Sequence, residues 1–270
     1  MLRWRRILGV LAGLAAAACR AAGPAPIPVT VYADAGYPPY SFVEAGEAVG
    51  IYADIMRRAF ARMPDYAVTI IPVPWKRGLA LLEQGQAVAL YPPYRRSQER
   101  PWMTPYSAPV LEETVVVICR DEILAKPRPR WPDDYAGLVI GSNSGFLGMG
   151  ERFRAAVKQG ALTYDDAGTS QQNIQKLVSG RIDCYVNDRR AILWAYHRQQ
   201  EERKVMPGDH PGILVEGAVI SKEYGYLGFT SKDEGRFPFK QDFLKEFNAV
   251  ICSMRASGEI GRIAAEYFRP

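Results

Sequence analysis

Apolar residues along this chain switch repeatedly between two spacings, and that alternation limits the folds open to it. Val29 to Ala33 (VTVYA) alternates as a strand, while Ile51, Ile55, Met56, Ala59 and Phe60 fall on one face of a helix predicted over 51–62. Val68 to Val73 returns to the strand period. A helix over 75–84 ends at Gly85, and strands follow at Ala87 to Tyr91 and Thr114 to Ile118 (TVVVI). Strands separated by helices call for right-handed crossovers, and so for an open, largely parallel sheet.

A Pro-rich polar stretch, Lys126 to Pro132 (KPRPRWP), interrupts the pattern, and a second series follows. Strands are expected at 138–141, 183–186 and 225–230, and helices at 150–159, 170–179, 189–202, 240–257 and 259–268. No repeat at solenoid spacing is present. Two α/β lobes with a cleft between them are the simplest architecture for such a series.

Arg3, Arg5 and Arg6 precede an apolar run from Ile7 to Ala18, the length of a secretory signal core and too short for a membrane span. Residues 1–18 are therefore expected to be removed on export. Ala16 and Ala18 fit cleavage before Cys19, and a cysteine at that place also raises lipid attachment as an anchor. The formal charge of +5 falls to +2 without the three signal arginines, so the basic balance partly reports targeting. The remaining basic clusters are short and lack the interleaved glycines and aromatics of an RNA-binding sheet, so no nucleic-acid partner is expected. Beyond Cys19 there are Cys119, Cys184 and Cys252, an odd count with no CxxC. A Cys119 to Cys184 bridge and buried free thiols are both open readings.

Enzyme signatures are sparse. The chain has two histidines, His197 and His210, which leaves little for a His-based triad or a clustered zinc site. The run Gly141 to Gly145 (GSNSG) is not a GxSxG elbow, and Gly145 to Gly150 does not follow the GxGxxG order. No cofactor, metal or catalytic residue is assigned.

The pairing of two distant segments is more informative. Tyr94 to Trp102 (YRRSQERPW) carries Arg100, and Ser179 to Asp188 (SGRIDCYVND) carries Asp188. They place a forked cation and an acid on separate halves of the chain. A guanidinium pairs bidentately with a carboxylate and an aspartate accepts from an ammonium, so a cleft closing between them would hold a small zwitterion. On position alone Arg100 also fits a solvated surface arginine, and Asp188 also fits a helix N-cap for Arg189 onward.

Five stretches in register resemble the family 3 periplasmic solute-binding proteins: Ala35 to Phe60, Pro74 to Gly85, the Arg100 segment, SGRIDCYVND, and Phe247 to Phe268. The resemblance implies a two-lobed periplasmic binding protein type II fold, with two crossover strands and a central ligand cleft. Lobe 1 would comprise residues 24–114 with 219–270, and lobe 2 residues 115–218. It implies an exported, monomeric protein that captures an amino-acid-like solute by hinge closure and presents it to an ABC permease of the inner membrane. Arg100 would bind the ligand carboxylate and Asp188 its ammonium. Asp34 would meet a basic group, Tyr37 and Trp75 would line the pocket, and Tyr91, Asn143, Gly145 and Phe146 would complete it. An exported enzyme resembling the cyclohexadienyl dehydratases, and a ligand sensor acting on a membrane partner, are the alternative roles.

The chain departs from the family pattern where hydroxyl residues often meet the carboxylate. It has Pro92, Pro93 and Arg95 in lobe 1, and Phe146 and Leu147 after Gly145 in lobe 2. Aromatic side chains are correspondingly frequent near the expected cleft: Tyr37, Tyr40, Trp75, Tyr91, Tyr94, Phe146 and Tyr185. Such walls suit an apolar or aromatic side chain, or a cation against ring faces.

Overall fold

The computed structural model describes residues 25–202 and 214–268. The signal segment 1–18, Cys19 and His210 lie outside the described residues.

The chain opens with β1 (Ile27–Asp34), then a small antiparallel sheet of β2 (Gly36–Tyr37), β3 (Ser41–Glu44) and β4 (Glu47–Val49). It continues through α1 (Ile51–Phe60), β5 (Tyr66–Val73), α2 (Trp75–Glu83), β6 (Ala89–Tyr91) and β7 (Met103–Tyr106). The long strand β8 (Leu111–Arg120) carries it into a second sheet with β9 (Val139–Asn143), α3 (Glu151–Lys158), β10 (Thr163–Ala167), α4 (Ser170–Val178), β11 (Cys184–Asp188) and α5 (Arg189–Glu202). A second long strand, β12 (Leu214–Gly225), leads back to β13 (Gly228–Thr230), α6 (Lys240–Ala256) and α7 (Glu259–Glu266).

The two five-stranded sheets run β5-β1-β6-β13-β7 and β10-β9-β11-β8-β12. In the first, β5, β1 and β6 are parallel to one another, and β13 runs antiparallel to its two neighbours, β6 and β7. In the second, β10, β9 and β11 are parallel to one another, and β8 runs antiparallel to its two neighbours, β11 and β12. The sheets are therefore mixed rather than largely parallel: the returning chain inserts β13 between β6 and β7 in the first, and in the second the connecting strands β8 and β12 pair with each other from Leu111↔Gly225 to Arg120↔Leu214. The expected lobe limits, 114/115 and 218/219, fall inside those two strands.

Burial follows the sequence periods. The face of α1 bearing Ile51, Ile55, Met56, Ala59 and Phe60 packs with Phe243, Phe247 and Ile251 of α6 against the first sheet. Gly50 starts α1 with φ near 110°, and a Cβ there would come 2.7 Å from the carbonyl oxygens of Pro39 and Tyr40. Only glycine fits that entry. In the second lobe, Val115, Val117, Cys119, Ile140 and Val186 form one core layer and Val116, Ile118, Ile174 and Tyr185 another.

Cys119 and Cys184 face each other across β8 and β11 and are joined by a disulfide, while Cys252 is exposed and free. The strands β2, β3, β4, β7 and β10, of two to five residues each, have no counterpart in the sequence reading, since so few residues display no period. No helix among the described residues is long and apolar enough to cross a membrane.

Candidate functional site

The parallel strands of both sheets end at a common cavity, where open α/β sheets place their ligands. From the first lobe it is lined by Asp34 at the end of β1, Tyr37 of β2, Trp75 at the start of α2, and Pro92, Tyr94, Arg96 and Arg100 from the loop between β6 and β7. The second lobe contributes the loop Asn143 to Leu147 after β9, together with Gly168 and Asn187. With its open mouth the cavity holds about 540 Å³ of empty space.

The lobes touch across it. Arg100 Nη2 donates to the Gly145 carbonyl oxygen at 2.6 Å, and the Tyr94 and Phe146 rings meet edge to face at 5.7 Å. Lys76 pairs with Asp166 at 3.5 Å, and Arg154 with Glu99 at 3.0 Å. Gly145 has φ near 80°, and a Cβ there would press on Trp75 at 3.4 Å, so this loop approaches the tryptophan closely.

Arg100 is 7% exposed, its guanidinium 5.6 Å over the Trp75 ring. Among the described residues it makes no ion pair, because its neighbour Glu99 is taken by Arg154. Burial pushes its pKa down to about 10. Arg96 by contrast is neutralised by a two-pronged pair with Glu223 at 3.1 and 2.7 Å. Arg95 lies over the Tyr106 and Tyr226 rings, at 5.5 and 5.2 Å.

Asp34 accepts the Gly36 amide at 2.9 Å through Oδ1 and makes no ion pair among the described residues. Desolvation pushes its carboxyl up to about 7. The cavity thus carries one unpaired cation and one unpaired acid, both supplied by the first lobe.

Two expected pocket residues sit elsewhere. Asp188 is buried but does not line the cavity: Oδ1 accepts the Tyr40 hydroxyl at 2.9 Å and the amides of Arg190 and Ala191 at 2.7 and 3.1 Å, and Oδ2 accepts the Thr114 amide at 2.8 Å. It caps α5 and ties that helix to β8, so the N-cap geometry occupies the oxygens that the ammonium reading needs. Tyr91 is fully buried in the first core with Ala89, the strand alternation having turned it from the cavity, and its hydroxyl finds no partner among the described residues. Tyr40 and Tyr185 are likewise buried off the cavity wall, whereas Asp34, Tyr37, Trp75, Tyr94, Arg100, Asn143, Gly145 and Phe146 line it.

The sequence reading missed Glu113. This acid, 1% exposed on β8, accepts the hydroxyls of Tyr37, Tyr52 and Tyr94 at 2.5, 2.6 and 2.7 Å. Desolvation, reinforced by Asp188, pushes its carboxyl up to about 8 against the pull of the three hydroxyls. Its signal is the second acid of the pair Glu112 and Glu113, separated by Thr114 from the apolar run Val115 to Ile118. Asn187 was also missed; its amide donates to the Tyr185 hydroxyl at 2.7 Å and to Ser170 at 3.4 Å.

The family model for bacterial extracellular solute-binding proteins, family 3, matches residues 29–270. The chain belongs to that family. Family 3 proteins are extracellular by description, which puts this chain outside the cytoplasm. Comparison with curated proteins gave no match. Among solved structures, the family 3 protein is similar to an ancestral arginine-binding protein bound to arginine, at 17% identity and TM-score 0.71, over 91% of this chain and 100% of that one. A substrate-binding protein of an ABC uptake transporter from Streptococcus pneumoniae, with bound histidine, gives 18% identity and TM-score 0.67 over 89% and 92% of the two chains. An ancestral amino-acid-binding protein described as a precursor of cyclohexadienyl dehydratase gives 16% and 0.67 over 90% and 96%. The likeness to these structures establishes the two-lobed binding-protein fold.

Proposed function

We propose that this family 3 protein is an extracytoplasmic receptor for a small, amino-acid-like solute bearing a carboxylate. It encloses the solute by closure about β8 and β12 and, as a monomer, presents the closed form to an ABC permease. Residues 1–18 act as its export signal, with Cys19 as the candidate lipid anchor. One observation carries the reading: Arg100 is a buried guanidinium in the cavity between the lobes with no acid partner among the described residues. A buried charge is retained when something pairs with it, and a carboxylate is its geometric complement.

Asp34, rather than Asp188, supplies the acceptor for the protonated amine of the solute, because Asp188 already has four donors within the protein. A ligand carboxylate would displace the Gly145 carbonyl from Arg100, which links binding to the position of the second lobe. Bound histidine and bound arginine in the similar structures agree with a zwitterionic ligand. The test is a thermal-shift screen of the mature protein against amino acids, polyamines, aromatic acids and dipeptides. A shift for amino acids in the wild type that is lost in Arg100→Ala supports the reading; silence across the whole set overturns it.

The Asp34 carboxyl, with a pKa near 7 in an aromatic-walled cavity beside Arg100, also favours a second role, an acid catalyst acting on a cyclic carboxylate. Turnover of prephenate by the purified protein, abolished in Asp34→Asn, would establish that role in place of delivery.

A further inference from the structure

Hydrogen-bonding capacity inside the cavity is distributed unevenly. The Tyr37 and Tyr94 rings form part of its wall, yet both hydroxyls point away from the cleft to Glu113. Asn143 accepts from Asn173 and Tyr185 at 2.9 and 2.8 Å and donates to Ser170 at 3.3 Å. Asn187 donates to Tyr185 and Ser170 and accepts the Asp188 amide at 2.9 Å. Ser144 donates to Asp166 at 2.5 Å. After this accounting, Arg100 and Asp34 are the charged side chains of the wall that make no ion pair among the described residues, and the Trp75 indole N–H is likewise without a partner among them. The Trp75 ring, Pro92, Phe146 and Leu147 add apolar surface to the same wall.

We infer that the solute is polar only in its carboxylate and amine and carries an apolar side chain of aromatic-ring or branched-aliphatic type, and that Glu113 enforces this selectivity as a positioning residue. The inference rests on the proposed solute-binding role. A side chain with its own hydroxyl or amide would lose water on entry and find most of the wall's side-chain donors and acceptors already engaged, the Trp75 N–H excepted. Glu113 produces much of this condition from β8, behind the wall. Three hydroxyl donors converge on its two carboxyl oxygens, so the cavity meets the Tyr37 and Tyr94 rings without their polar tips. Without Glu113 those hydroxyls would have to turn toward water or ligand.

The experiment is calorimetric titration of the mature protein with L-leucine against L-asparagine, which match in shape, and with L-phenylalanine against L-tyrosine, which differ by one hydroxyl. Leucine and phenylalanine are expected to bind about 10- to 100-fold more tightly than their polar counterparts, the range in which an apolar pocket discriminates against one added polar group. Glu113→Leu is expected to reduce each ratio at least about fivefold. Glu113→Gln, which keeps an acceptor for the same hydroxyls, restores most of it, an outcome that general loosening of the fold would not give. Should Glu113→Leu fail to fold, the wild-type ratios decide by themselves. Equal or tighter binding of asparagine or tyrosine overturns the inference, and the solute-binding reading then stands if Arg100→Ala still abolishes that binding. If none of the four binds, the inference is overturned, and the wider acid screen tells whether the binding role falls with it.

Discussion

Arg100 reaches across the cleft and donates to the Gly145 carbonyl oxygen at 2.6 Å, joining the lobes through a group that a carboxylate ligand would claim. The same guanidinium lies over Trp75, which itself packs against Gly145. Cation, ring and facing loop therefore form one unit.

Removing that cation is expected to weaken ligand binding strongly. Arg100→Ala should cost about 2 to 5 kcal/mol of affinity, the range for truncating one member of a buried charge pair. Arg100→Lys should recover only part of it, because an ammonium lacks the planar fork. Calorimetry with the best ligand from the screen checks both, and full recovery by lysine would exclude a bidentate carboxylate.

Asp34 and Asp188 should separate cleanly. Asp188→Ala removes the α5 cap and strands several buried donors, so we expect a loss of about 1 to 3 kcal/mol in folding stability with affinity little changed. Asp34→Asn should instead weaken binding of amine-bearing ligands while stability holds or rises. For the wild type, affinity for such ligands should fall as the pH drops below about 7, where the Asp34 carboxyl takes up its proton. Urea melts and titrations at two pH values decide the assignment; a large affinity loss in Asp188→Ala would reverse it.

Glu113 should make the protein less stable at alkaline pH. Its folded-state pKa, about 8, lies above the ordinary glutamate value, so the folded state holds a proton that the unfolded chain releases. Stability from this group is complete below the unfolded pKa and is lost as the pH rises through about 8, by on the order of 3 to 5 kcal/mol. Thermal melts from pH 5 to 9 should therefore decline in the wild type and decline less in Glu113→Gln, where the remaining loss, below about pH 7, is that of Asp34. Parallel curves for the two proteins would show that Glu113 is not the group that titrates.

The disulfide between Cys119 and Cys184 closes a loop with a sequence separation of 65. Loop-closure entropy sets an upper stabilisation of about 4 kcal/mol for that length. Reduction, or the paired substitutions Cys119→Ala and Cys184→Ala, should lower the denaturant midpoint by a corresponding amount. An unchanged midpoint would show that β8–β11 pairing alone restrains the chain.

Two α/β lobes were legible in the sequence because local periodicity writes burial directly into residue order. The helix at Arg189–Glu202 and the inward faces of α1 and α6 follow from which residues are apolar and how they are spaced. On position alone Arg100 fits a surface arginine as well; it stands out, with Asp34, Tyr37 and Trp75, through the family resemblance, and all four line the cavity together with Phe146. What the sequence could not decide was where hydrogen bonds are satisfied. Asp188 looks equally suited to a ligand and to a helix cap until Thr114, Tyr40, Arg190 and Ala191 are brought around it. Tyr91 and Tyr94 are both aromatic and three residues apart, yet one is turned into the core and the other onto the cavity wall. Glu113 acquires its role only when Tyr37, Tyr52 and Tyr94 converge on it from positions up to 76 residues away. Composition and spacing settle which groups are buried, because burial depends on the period of each element. Partnership between distant polar groups depends on directions in space, and those exist only once the lobes have packed.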